Sequence, residues 1–175
     1  EDPYIYCNDR EELHVSYPDP CIYYEKEDYH LSPVTGRHYL DDCMDFDHID
    51  MHAFSVACEI DKILEPTMKN ILILGHGENI YFPYCVANSL ARFRHSKKVT
   101  FKTTSRTPIY VDGKVIRSRK RFKDNHNITY HIYNIEEMEK YDVVIFLSEA
   151  KNIEEIEVPK LTNNMIHFLL KKKGA

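Results

Sequence analysis

Two short runs of this chain are apolar at every position, and they limit its possible folds more than any other feature. Ile71-Leu72-Ile73-Leu74 stops at Gly75, and Val143-Val144-Ile145-Phe146-Leu147 stops at Ser148. A strand with one wet face alternates apolar and polar residues, because successive side chains point to opposite faces. Runs without that alternation belong to strands covered on both sides. Helical spacing flanks the first run on both sides. Over 51–64, Phe54, Ala57, Cys58, Ile60, Ile63 and Leu64 recur at helical intervals and Pro66 ends the pattern. A second helix is expected over 80–93, with Pro83 tolerated in its first turn. Strands at 71–74, 99–103 and 143–147, separated by connections long enough for a crossover, predict a parallel α/β sheet. The segment 129–133 is a further strand candidate. Asp112-Gly113, flanked by Ile109-Tyr110-Val111 and Lys114-Val115-Ile116, gives a hairpin signal, and 161–170 reads as an amphipathic helix.

At 175 residues the chain suits one domain with its own core. Residues 1–50 are rich in Tyr, Asp, His and Pro, with short apolar pieces such as Cys21-Ile22-Tyr23-Tyr24, and read as an extended cover over the 51–175 domain. No run approaches the ~20 apolar residues that span a bilayer, and Glu1-Asp2-Pro3-Tyr4 is not a secretory signal. The absence of an initiator Met implies a processed chain or a piece of a longer one. Five cysteines without a C-x-x-C pair argue against a disulfide scaffold or a zinc ribbon and for reduced thiols in a cytoplasmic protein. A net charge of −5 gives no overall pull toward nucleic acid or an anionic membrane.

In open parallel sheets, ligands bind beyond the carboxyl ends of the strands, which turns four loops, at Gly75, Thr103, Asn134 and Ser148, into one candidate site. Gly75-His76-Gly77-Glu78-Asn79 lies between a strand and a helix, where glycines let the backbone turn sharply and approach an anion. Ile80 stands where the third glycine of a dinucleotide fingerprint would be, and no Walker A motif is present. Glu78 either complements the helix dipole or accepts ribose hydroxyls or a divalent metal such as Mg2+. Thr103-Thr104-Ser105-Arg106-Thr107-Pro108 concentrates hydroxyls and one guanidinium, donors suited to phosphate, although a polar turn closed by Pro108 has the same composition.

Read together, these segments resemble the TRSP-domain family. Leu74-Gly75-His76-Gly77-Glu78-Asn79-Ile80-Tyr81-Phe82-Pro83 is similar to its G-x-G-E stretch, which ends in Pro, and Thr103-Thr104-Ser105-Arg106-Thr107-Pro108-Ile109 to its Thr-Thr-Arg-Ser-Pro-Ile motif. Tyr133-Asn134, a strand ending in Ser148-Glu149, and a weaker echo at Ser16-Tyr17-Pro18 also fit, so the resemblance covers about 70–150. Here Ser105 is inserted before the Arg and Thr107 replaces the family Ser, so Arg106 can point differently. Such domains occur C-terminal to phosphoribosyltransferase-like domains in bacterial stress gene clusters related to tellurium resistance. The resemblance implies a Rossmann-like three-layer sandwich with a mostly parallel sheet, handling a phosphoribosyl or nucleotide-like compound. Gly75, Gly77, Asn79, Thr104, Ser105, Arg106 and Thr107 would hold phosphate, Asn134 and Glu149 would line the ligand, and Glu78 is the candidate catalytic group. The phosphoribosyltransferase loop itself is missing: Asp41-Asp42 is followed by Cys43-Met44-Asp45.

Two other features compete. In Asp45-Phe46-Asp47-His48-Ile49-Asp50-Met51-His52, the histidines are four apart, as in metal pairs, but no Glu adjoins His48 as H-E-x-x-H requires. The basic run Arg117-Ser118-Arg119-Lys120-Arg121, with Lys123, is either a solvated face or a phosphate clamp, and nucleic-acid binding through it would be weak and salt-sensitive. Three functions follow: a phosphoribosyl-handling domain, a non-catalytic module docking on a phosphoribosyltransferase partner, or a metal-dependent hydrolase.

Overall fold

The computed structural model describes residues 22–29, 44–77, 80–93, 97–124, 126–148, 161–162 and 164–172. Along the chain these form β1 (Ile22–Tyr29), α1 (Met44–Ile63), β2 (Asn70–Gly75), α2 (Tyr81–Phe93), β3 (Lys98–Thr103), β4 (Arg119–Lys123), β5 (Thr129–Tyr133), a 3-10 helix (Ile135–Lys140), β6 (Val143–Ser148) and β7 (Met165–Lys172). Five strands make one sheet in the order β1-β7-β6-β2-β3, with every neighbouring pair parallel. The three strands expected to be parallel, β2, β3 and β6, are consecutive, with β2 between β6 and the edge strand β3. The α/β class follows.

The double-sided burial read from the apolar runs is met by two different layers. Ile71 and Ile73 of β2, with Val143, Ile145, Leu147, Ile166 and Phe168, face α1 and α2. Both helices present a buried stripe there, Ala53, Val56, Ala57 and Ile60 from α1 and Phe82, Val86 and Leu90 from α2. Leu72, Leu74, Val144, Phe146 and Met165 face the other way, onto Phe122, Tyr130 and Ile132 of an antiparallel ribbon made by β4 and β5, and onto Met138 of the 3-10 helix. Each fully buried aliphatic or aromatic side chain contributes roughly 1.5–3 kcal/mol. Among the described residues this second face is covered by a ribbon, where the three-layer expectation puts helices.

Four expectations need correction. The segment over 161–170 is not a helix: Met165–Lys172 is β7, inside the sheet between β6 and β1. Ile166, His167 and Phe168 are buried in succession on opposite faces, which a surface helix cannot achieve. The flanks of Asp112-Gly113 form no strands. The Asp112 carboxylate accepts the N–H groups of Lys114, Val115 and Ile116 at 2.9 Å each, closing a local turn. Val115 and Tyr110 are largely exposed there, so the segment buries little apolar surface. Strand 129–133 is present but pairs with β4, outside the parallel sheet, so the Asn134 loop does not follow a strand of that sheet. Finally, α1 starts at Met44 rather than 51, placing Asp50 and His52 within the helix instead of at its start. Within the N-terminal segment, 22–29 adds an edge strand to the sheet.

Candidate functional site

Register brings the strand ends level. Gly75 of β2 is paired with Thr103 of β3 on one side and Leu147 of β6 on the other. The chain leaving β2 is tied to both neighbours at once: the His76 N–H donates to the Leu147 carbonyl at 2.9 Å, and the Gly75 carbonyl accepts the Thr104 N–H at 2.9 Å. Gly77 then turns with φ +73°, where an L side chain would be strained. Its N–H donates to the Thr104 hydroxyl at 3.0 Å, so the two loops are joined by a buried side chain.

The ribbon joins from the other side. Ser105 and His131 exchange backbone hydrogen bonds of 3.0 and 2.7 Å, which makes Ser105 a short third rung beside β5. Arg106 is exposed, yet its guanidinium lies 5.5 Å from the centre of the Tyr130 ring and donates to the Tyr130 hydroxyl at 3.2 Å. The Ser105 hydroxyl accepts the Thr107 N–H at 3.0 Å. The Tyr133 hydroxyl accepts the Ile109 N–H at 2.6 Å and donates to the Thr107 carbonyl at 2.8 Å, pinning the outer half of the loop. A polar loop is thereby held in one shape.

Between these loops lies His76. Its ring packs against Tyr130, Phe146 and Phe122, with centroids 4.4, 5.1 and 5.7 Å away, and its Nδ1 is 3.1 Å from the Thr104 hydroxyl. Burial among these rings lowers its pKa to about 4, with Asp124 opposing and Arg106 reinforcing the shift. Beneath it, Phe146 makes an edge contact with His167, whose Nε2 is 2.5 Å from the Ser148 hydroxyl. Burial lowers the His167 pKa to about 3, with His76 adding to the effect. His131 is buried too, its pKa lowered by burial and then by Arg119 and Arg121, and its Nδ1 has no hydrogen-bond partner among the described residues.

Of the expected site residues, Gly75, Gly77, Thr104, Ser105, Arg106 and Thr107 come together at this end of the sheet. Glu78, Asn79 and Glu149 lie outside the described residues. Asn134 is occupied elsewhere. Its side-chain carbonyl accepts the N–H of Arg117 at 2.7 Å, its amide donates to the Val115 carbonyl at 3.0 Å, and its backbone is left-handed, with φ 55°. The described N–H groups of the two loops are also largely occupied internally, those of residues 76, 77, 104, 105 and 107 all having partners. Donors for a ligand are therefore side chains, Arg106, Tyr130 and His76, more than a backbone nest.

Most of the basic run lies in β4, with Arg117 exposed just before it. Arg119 and Arg121 are half-buried with buried Nε atoms, unlike a freely solvated face. Among the described residues no group of three or more His, Cys, Asp or Glu could hold a metal ion, and the His48 side chain lies outside them. Sequence reasoning missed His76, Tyr130 and His167. His76 stood inside the glycine motif, where the neighbouring glycines drew the attention. Tyr130 and His167 signalled nothing until strand pairing placed them.

A family model described as "TRSP domain C terminus to PRTase_2" matches residues 34–165, a span that runs from before α1 to the first residue of β7. No curated protein and no solved structure matches the chain.

Proposed function

This chain belongs to the TRSP domain family, and we propose that it is a phosphoribosyl-handling module working beside a phosphoribosyltransferase domain, with an anion held between loops 75–77 and 104–107. The fold in this reading is Rossmann-like, with the β4–β5 ribbon serving as its third layer. One observation carries it: two strand-end loops are joined by the Thr104 hydroxyl, and the guanidinium of Arg106 is held beside them on Tyr130. A cation oriented at the carboxyl ends of parallel strands suits phosphate or carboxylate. Ser105 and Thr107 add hydroxyls.

A charge-assisted hydrogen bond contributes roughly 1.5–3 kcal/mol. Arg106→Ala should therefore weaken binding of ribose 5-phosphate, phosphoribosyl pyrophosphate or a nucleoside monophosphate by roughly ten- to a hundredfold. Calorimetric titration of both proteins decides it. Equal affinity removes Arg106 from the site, and absence of binding in the wild type removes the site.

A second reading, a docking module without its own ligand, is favoured by exposed apolar residues on the helical face. Met51 and Phe54 lie one turn apart on α1, and Tyr81 and Tyr84 one turn apart on α2. Asp50 acts on both Tyr81 and Cys85, so the two stripes adjoin.

A further inference from the structure

The Thr104 hydroxyl carries one proton, and its surroundings decide where that proton goes. The oxygen accepts the Gly77 N–H at 3.0 Å, the residue is 1% exposed, and the other polar atom bonded to it is Nδ1 of His76, at 3.1 Å. If Nδ1 carried a proton, it too would donate to the threonine oxygen and strand the hydroxyl proton away from water. The hydroxyl therefore donates and Nδ1 accepts. Three aromatic rings around the imidazole disfavour its charged form. A neutral ring with a bare Nδ1 has its proton on Nε2. That nitrogen has no hydrogen bond to a described residue, yet it is not among the buried side-chain nitrogens sealed off without a partner.

We propose that Thr104 is a positioning residue that locks His76 as the neutral Nε2–H tautomer, and that Nε2–H donates to an oxygen of the anion bound between loops 75–77 and 104–107. This ligand role rests on the site proposed above. A histidine so held is a fixed donor and not a general base, because its one basic nitrogen is occupied by Thr104. With Arg106 it favours ligands that present acceptor oxygens, such as phosphate monoesters, and rejects groups that present only donors. Asp124, Arg106 and His167 are the charged or titratable groups acting on the ring.

Long-range proton–nitrogen correlation spectra of the full chain, with labelled histidine, test both halves. For the free protein, the Nε2-protonated pattern of His76 is expected to persist unchanged from pH 5.5 to 8. Thr104→Ser should keep that pattern and Thr104→Val should lose it. An Nδ1-protonated or charged ring in the wild type, or an unchanged pattern in a folded Thr104→Val protein, overturns the lock. Titration with inorganic phosphate and with ribose 5-phosphate should shift the Nε2 proton of His76. Calorimetric binding without that shift overturns the donor role while leaving the Arg106 site standing. No binding of either probe removes the site and the donor role together, and the tautomer in the free protein still reports on the lock by itself.

Discussion

At the scale of single residues, the site is built on groups whose ordinary behaviour has been suppressed. Gly77 has φ +73°, and a Cβ there would meet nothing nearer than the Tyr130 ring at 3.9 Å, so the obstacle to a side chain is backbone strain and not a clash. Gly77→Ala should cost about 1–2 kcal/mol. For a chain of this size that lowers the thermal midpoint by several degrees, measurable by calorimetry. His76 and His167 resist protonation, with pKa values near 4 and 3 against 6.5 for a free imidazole. Between these values the unfolded chain takes up protons that the folded chain refuses, so stability is full above pH 6.5 and falls as pH drops toward 4. The urea midpoint should accordingly be lower at pH 5 than at pH 7. His167→Gln, which removes one titrating group, should shrink that difference in the same unfolding experiment. An unchanged difference would mean that burial of His167 is not what the pH dependence reports. The turn at Gly77 was legible in the sequence, but the behaviour of the histidines was not, because a histidine's pKa depends on what surrounds it.

At the scale of elements, β2 and β6 were legible because each combines an apolar run with a clear stop, and β3 because Val99 and Phe101 alternate with polar residues as on a strand with one wetter face. The C-terminal strand was not. Leu161 to Leu170 contains apolar residues at spacings compatible with either period, and a run that short does not decide between a helix stripe and a doubly buried strand. Burial of Ile166, His167 and Phe168 in turn settles it after the fact. The Asp112-Gly113 signal failed because its flanks had no core to pack on, while β4, whose sequence is mostly basic, became a strand because Phe122 reaches the core beside Tyr130 and Ile132. The ribbon's hold on the sheet can be tested. Phe122 is 2% exposed and packs near His76, with centroids 5.7 Å apart. Phe122→Ala should cost about 3–5 kcal/mol. Amide exchange should accelerate first in β4 and β5 and in the 104–107 loop tied to them through Ser105, with β2 and β6 less affected. Uniform acceleration across all the strands would instead make the ribbon an inseparable part of one cooperative unit.

At the scale of the whole molecule, the two faces of the sheet have different fates. The ribbon side closes over polar loops and buried histidines, while the helical side presents Met51 at 66%, Phe54 at 54% and Tyr84 at 49% exposure. Exposed apolar side chains clustered on adjacent helices are a feature of binding surfaces. The family's description places such domains C-terminal to a PRTase_2 domain. Because those side chains are largely exposed already, replacing them costs little folding free energy, and surface changes of this kind usually stay within about 0.5 kcal/mol. Phe54→Ser combined with Tyr84→Ser should therefore leave the thermal midpoint close to that of the wild type, though Tyr84 also makes an edge contact with Phe101 at 5.9 Å, and a small loss is expected there. If the helical face docks on the phosphoribosyltransferase domain, the same pair should weaken co-elution of the two domains in size-exclusion chromatography by at least tenfold in apparent affinity. Arg106→Ala, on the loop end of the sheet, should leave that association unchanged while lowering ligand binding. The reverse pattern, with association lost in Arg106→Ala and kept in the helix pair, would place the partner over the strand ends, where the ligand and the transferase would then share one site.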